Sequence, residues 1–177
     1  SANWNLAQTV TVTGVNDPAV DGNQLTTVTL AIDAANSDDA FDAVANQTIT
    51  VTTVDNDTPG FTIIESGGST SVNESGTTDT FTVVLNAQPL TEVVITVTSG
   101  DTGEATVDLA TLTFTSANWN LAQTVTVTGV NDPSVDGNQL TIVTLAIDDA
   151  NSDDAFDAVA NQTVTVTTVD DDTPGFT

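Results

Sequence analysis

The chain has 177 residues, 25 of them Asp or Glu, with no Lys, Arg or His and a formal net charge of −25. A chain without cationic side chains cannot neutralise phosphates, which excludes nucleic acid and anionic membrane surfaces as partners. It also lacks Cys and Tyr, so the usual nucleophiles and proton shuttles are missing, an enzyme is not expected, and no disulfide can form.

Residues 1–62 recur at 116–177, an offset of 115, with 57 of 62 positions identical. The changes are Ala19/Ser134, Thr27/Ile142, Ala34/Asp149, Ile49/Val164 and Asn56/Asp171. A period of this length matches a whole domain rather than a solenoid coil. Residues 1–57 read as the C-terminal half of a preceding repeat, 58–172 as a complete repeat, and 173–177 as the start of the next. No leader or long apolar run is visible, and the expected setting is a slice of a longer tandem array.

Period-two alternation predicts strands at Phe61–Glu65, Thr80–Asn86, Glu92–Thr98, Thr111–Thr115, Gln123–Thr128, Leu140–Ile147 and Gln162–Val169. In Thr124-Val125-Thr126-Val127-Thr128 the Val side faces a core and the Thr side water. Seven such strands with polar, Gly- and Asp-rich connections predict an all-β fold, an antiparallel seven-stranded β-sandwich. The only helical expectation is a short turn within Ala155–Ala160.

If seven strands alternate up and down, the segments Val72–Thr78, Ser99–Leu109, Gly129–Asn138 and Asp170–Asp172 share one pole, and all four carry carboxylates. The acidic stretch Asp148–Asp157 falls at the opposite pole, where a mostly solvated surface is expected. Residues 1–57 could complete a permuted domain with 61–115 only if Thr58-Pro59-Gly60 crossed between poles. Three residues reach at most ~10 Å, whereas a strand of five or six runs ~17–20 Å. Residues 1–57 therefore belong to the preceding domain, whose first four strands lie outside this chain or come from another copy.

The strongest chemical signal is Asp170-Asp171-Asp172, with Asp55-Asn56-Asp57 in the equivalent place. Three adjacent acids at a strand end repel one another unless a cation sits among them. Hard oxygen donors without His or Cys favour Ca²⁺, which takes 6–8 oxygens, over transition metals, and suit it better than the stricter octahedron of Mg²⁺. The bland alternative is that Asp and Asn here are turn formers in solvated loops.

The complete repeat resembles a Calx-β domain of the kind found in large bacterial extracellular, adhesin-type proteins. The matching segments are Val72-Asn73-Glu74-Ser75-Gly76, Asn131-Asp132-Pro133-Ser134-Val135-Asp136, Val169-Asp170-Asp171-Asp172 with Gly175-Phe176, and Asn118-Trp119-Asn120 leading to Gln123–Val127. The resemblance implies a seven-stranded Ig-like sandwich with Ca²⁺ at the exit pole. It implies Glu74, Asp101, Asp132, Asp136, Asp170, Asp171 and Asp172 as ligands, with the backbone carbonyl of Ser134. In the half repeat the matching positions are Asp17, Asp21, Asp55 and Asp57, with Asn56 as a neutral variant. Asn131, Gly137 and Asn138 stand where acids are common in the family, which leaves the number of ions open. The junction Val54–Phe61 is also similar to the acidic linker of cadherin repeats, a second choice of family with the same mechanism.

Other features have plainer readings. Trp4 and Trp119 are expected to cap a core rather than stack on sugar, Asp153 and Asp154 lack a defined cleft for hydrolysis, and the Thr rows are ordinary outward strand faces. The glycosylation patterns at Asn46, Asn73 and Asn161 are of the number expected by chance in a Thr- and Asn-rich chain. The expected function is structural: a Ca²⁺-rigidified extender repeat of a giant extracellular surface or adhesin-like protein. Its partners would be neighbouring repeats or identical chains, with no membrane insertion and any adhesion target elsewhere in the full protein. Two alternatives stand beside it, a self-assembling filament whose half repeats are completed by neighbouring chains, and a ligand-binding adhesion module.

Overall fold

A computed structural model describes residues 3–175, so Phe176 and Thr177 of the resemblance and of the next repeat lie outside the described residues, as do Ser1 and Ala2. The chain divides into two compact units. One contains the residues up to Asp17 together with Asp21–Asn56, and the other Pro18–Val20 and the residues from Asp57 onward.

In the first unit, β1 (Gln24–Leu30) and β2 (Gln47–Thr53) pair antiparallel from Gln24 opposite Thr53 to Leu30 opposite Gln47. Two 3₁₀ turns, Ala34–Asn36 and Asp39–Phe41, connect them. The Asp38 carboxylate caps the second turn by accepting from the N–H of Ala40.

The second unit is a two-sheet sandwich of nine strands. They are β3 (Phe61–Glu65), β4 (Thr70–Asn73), β5 (Thr78–Leu85), β6 (Val93–Ser99), β7 (Ala105–Val107), β8 (Thr111–Phe114), β9 (Gln123–Gly129), β10 (Gln139–Ile147) and β11 (Gln162–Val169). One sheet has the order β4-β11-β10-β6-β8, the other β3-β5-β9-β7. Alternation puts Phe81, Val83 and Leu85 of β5, Val125 and Val127 of β9, and Val143 and Leu145 of β10 into one core with Phe114 and Phe156. Thr82, Thr126 and Thr144 between them point outward, while β10 also buries Thr141 on its core face and exposes Leu140 and Ile142 on the other.

Two features differ from the sequence expectation of seven antiparallel strands. The strands β4 and β7 are additional, four and three residues long, too short for alternation to announce them. In addition, β4 runs parallel to β11, from Thr70 beside Val166 to Asn73 beside Val169. The cause is the turn Ser66–Gly68, where Gly67 and Gly68 take φ of 65° and 84° and carry the first strand from one sheet to the other. The strand keeps its direction across this switch, so the polarity of everything after it is unchanged. The turn expected within Ala155–Ala160 is a 3₁₀ turn at Asp154–Phe156.

The end of β4 lies against β9 at Gly129. A Cβ on Gly129 would stand 2.1 Å from the carbonyl oxygen of Asn73, closer than any real contact. Gly129→Ala is therefore expected to push the turn after β4 outward and to destabilise this unit by about 1–3 kcal/mol. A urea titration reads this directly, and an unchanged midpoint would mean that the turn yields freely.

Candidate metal centre

The strand ends bring carboxylates from four connections to one pole. Glu74 follows β4, Glu104 precedes β7, Asp132 and Asp136 lie between β9 and β10, and Asp172 follows β11. Carboxylate oxygens of Glu74, Asp132 and Asp172 all lie within 4.8 Å of one another, as do those of Glu104, Asp132 and Asp136. Asp132 belongs to both groups.

Glu74, an expected ligand, has the most enclosed surroundings of these carboxylates. It is only 1% exposed, and neither carboxylate oxygen has a hydrogen-bond partner. Its backbone N–H donates to the carbonyl of Val169 at 3.2 Å, which ties the turn after β4 to the end of β11. Burial, and then the charges of Asp170, Asp132, Asp172 and Asp171, push the Glu74 carboxyl above its ordinary value. Glu104 behaves similarly: burial first, then Asp132, Asp136 and Asp101, raise it. Glu104 Oε2 and Asp172 Oδ2 are also buried without partners. Buried carboxylate oxygens facing other carboxylates, with no donor in reach, are the surroundings a cation would make favourable. The donor set is oxygen only and suits a hard ion.

Asp170 sits in the same triplet but has a different environment. One of its oxygens accepts from the N–H of Gly137 at 2.7 Å and the other from the N–H of Asp172 at 2.8 Å. These donors hold its carboxyl below the usual range, against a smaller opposing effect of burial. Its own N–H donates to the side-chain oxygen of Asn138 at 3.3 Å. Asp170 thus locks the β9–β10 connection onto the end of β11. Asp55 does the same in the first unit, accepting from Asp21 and Gly22 N–H at 3.1 and 2.7 Å.

Other expected ligands stand as follows. Asp132 Oδ1 accepts from the N–H of Ser134 at 2.6 Å, which shapes the loop beside both groups. Asp101 Oδ1 accepts from Gly103 N–H at 2.9 Å and belongs to neither group, and Asp171 is also in neither. Neither group includes Asp17, Asp21, Asp55 or Asp57, and Asn56 has no carboxylate to offer. The period accounts for this: Glu74 and Glu104 lie in its first half, which residues 1–57 do not contain.

Glu104 is the member that sequence reasoning did not name, although its segment was assigned to this pole. Its position depends on β7, whose three residues give no visible alternation. Its carbonyl accepts from Val130 N–H at 2.8 Å and from Thr168 Oγ1 at 3.2 Å, fixing it between β9 and β11.

At the opposite pole Asp153 departs from the solvated surface expected there. It is buried, and its carboxylate accepts from the N–H groups of Leu90, Thr91 and Ala155 at 2.8, 2.9 and 3.1 Å. Burial alone would raise its carboxyl, but these donors outweigh it and hold it low. Asp153 is a structural clasp between the β5–β6 connection and the 3₁₀ turn. Trp119 packs partly buried against the core, as a cap would, whereas Trp4 is exposed.

No protein-family model matches the chain, and no curated protein matches it. Similar solved structures include an apo-form Calx CBD1 domain, at 15% identity and TM-score 0.45 over 63% of this chain and 98% of that one. The E. coli chaperone DraB gives 6% and 0.45 over 66% and 59%. Domains 4 and 5 of the S-layer protein SbsC give 27% and 0.43 over 72% and 54%, so the chain spans about half the length of that fragment. No helix among the described residues is long and apolar enough to cross a membrane. These likenesses are too distant to assign a family, and the all-β sandwich rests on the two sheets of the second unit themselves.

Proposed function

We propose that the complete repeat is a Ca²⁺-rigidified, non-enzymatic extender module of a large extracellular surface protein. The observation that carries this reading is Glu74, a buried carboxylate with both oxygens unpartnered and with Asp132 and Asp172 beside it. Taking such a group out of water is costly unless an opposite charge is nearby, and a chain without cations must obtain that charge from outside. Glu74, Asp132 and Asp172 would hold one ion and Glu104, Asp132 and Asp136 a second, with Asp132 bridging them. The bound ions would supply the positive charge that draws four connections together. Asp170 would act by holding the β9–β10 connection in place through its N–H donors.

Thr173-Pro174-Gly175 follow Asp172 directly, so an ion at Asp172 would fix the point from which a following repeat departs. Pro limits that short segment further. Interchangeable, nearly identical repeats suit a spacer better than a recognition tip, which favours the extender reading over an adhesion module.

Calorimetric titration of the full chain tests this. Saturable Ca²⁺ binding is expected, with Mg²⁺ weaker because it resists multi-carboxylate sites. Asp171→Asn should weaken binding less than Asp172→Asn, because Asp171 belongs to neither group and Asn56 replaces it in the other copy. No saturable Ca²⁺ binding, or a larger loss at Asp171, would remove the support for this assignment.

A further inference from the structure

The same side chains meet opposite fates in the two units. Val125, Val127 and Leu145 are 0% exposed and Val164 is 2% exposed in the complete repeat, whereas Val10, Val12, Leu30 and Ile49 are 66%, 51%, 45% and 57% exposed. Four of these exposed residues, with Gln8 and Val28, line an open groove of about 210 Å³ on the first unit. Phe41 and Trp4 are also exposed, while their counterparts Phe156 and Trp119 pack on the core. Exposed apolar surface of this extent and continuity marks a site for association.

The backbone shows the same deficit. In the complete repeat β9 lies between β5 and β7, β10 is bonded to β6 as well as β11, and β11 to β4 as well as β10. Residues 8–14, the counterparts of β9, form no strand, and β1 and β2 pair only with each other. Gly129 lies against the Asn73 carbonyl, while the nearest atom to a Cβ on its counterpart Gly14 is a Thr53 methyl at 3.6 Å. Every missing neighbour (β4, β5, β6 and β7) comes from the first half of the period, residues 57–115.

We propose that the first unit is an acceptor site for a polypeptide carrying the strand sequence of residues 57–115, which adds strands to its open edges and covers its apolar groove. The fit is already realised in this chain, because the second unit buries the equivalent surface under that sequence. Of the five positions that differ between the copies, only Ile49 is among the apolar residues compared above, and it adds one methylene relative to Val164. Such a change costs little in a surface that is still to be packed. The donor is not the chain's own β3–β8, since Thr58-Pro59-Gly60 is too short to bring those strands back across a strand length. Nor does exchange between two copies of these 177 residues suffice, because they hold one first half and two second halves, and lending strands closes one face by opening another. The occupant is a surplus first half. The donor would also supply the counterparts of Glu74 and Glu104, which residues 1–57 lack.

The test adds a polypeptide of residues 57–115 to the full chain. The expected result is a 1:1 complex by light scattering, with Trp4 emission moving to shorter wavelength and loss of apolar-dye fluorescence. Leu30→Asp, which alters only the first unit, should abolish all three changes. A second arm guards against a poorly soluble donor by placing the same sequence ahead of Ser1, where Thr115 runs into Ser1 as it does into Ser116. That longer chain should show a second cooperative unfolding transition, lost in Leu30→Asp. The proposal is overturned if neither arm covers Trp4, or if binding persists in Leu30→Asp. It is equally overturned if the unmodified chain covers the groove by pairing two first units, seen as a dimer with low dye binding.

Discussion

Adding Ca²⁺ to the metal-free chain should raise the melting temperature of the second unit by on the order of 10 °C, and EDTA should reverse it. An ion that binds only the folded state adds about 2.7 kcal/mol at one hundred times its Kd. For a unit of roughly this size each kcal/mol moves the midpoint by about 4 °C. A second ion sharing Asp132 would increase the shift. The first unit has no equivalent of Glu74 or Glu104, so hydrogen exchange of β1 and β2 should be the same with and without Ca²⁺. A rise confined to the second unit separates ion binding at its pole from general screening of 25 acidic side chains, which would affect both.

Glu74→Gln should produce a paradoxical pair of effects: a metal-free protein more stable than the parent at neutral pH, and a loss of most of the Ca²⁺ response. Affinity should fall by at least about tenfold, since even residues behind the ligands of a metal site have effects of that order. The sign for the metal-free parent follows from linkage. Glu74 and Glu104 have folded values above the ordinary 4.5, so the folded state binds more protons than the unfolded one in that window. Stability therefore rises as pH falls from neutrality through the raised values towards about 4.5. Below the ordinary aspartate value of 3.8 the opposite sign takes over, because Asp170, Asp153 and Asp79 are held low and their stabilising hydrogen bonds are lost as they protonate. In EDTA the parent should thus show a stability maximum in mild acid, and Glu74→Gln should flatten its neutral side. A Glu74→Gln protein that is less stable than the parent in EDTA would show that the Glu74 carboxylate is satisfied without an ion.

The long strands were legible because Val and Thr alternate over five residues in both β9 and β11, and the repeat made each pattern visible twice. The pole was legible because β4 continues in the direction of β3, so an uncounted strand did not disturb the alternation of ends. What escaped were features set by backbone geometry rather than side-chain pattern. Gly67-Gly68 turns a strand from one sheet into another, and β7, with three residues, carries Glu104 to this pole without a periodic signature. Asp153 looked like its neighbours in an acidic run, yet its environment comes from Leu90 and Thr91, over sixty residues away in sequence. Among the expected ligands, residue type alone could not separate Asp172, with an oxygen left bare, from Asp170, whose oxygens are taken by N–H donors.

The reach of Thr58-Pro59-Gly60 should also bear on the order of folding. Residues 61–115 have two nearly identical surfaces to join, one upstream and one downstream, and the upstream one is synthesised first. Near-identical neighbours are the usual setting for misassembly in repeat proteins. By its reach alone the short Pro-bearing segment should deny the upstream choice, so the nascent strands are expected to wait for 116–172. Lengthening that segment with a flexible stretch should let the wrong pairing compete, slowing refolding and populating a trapped species in which the downstream half is left uncovered.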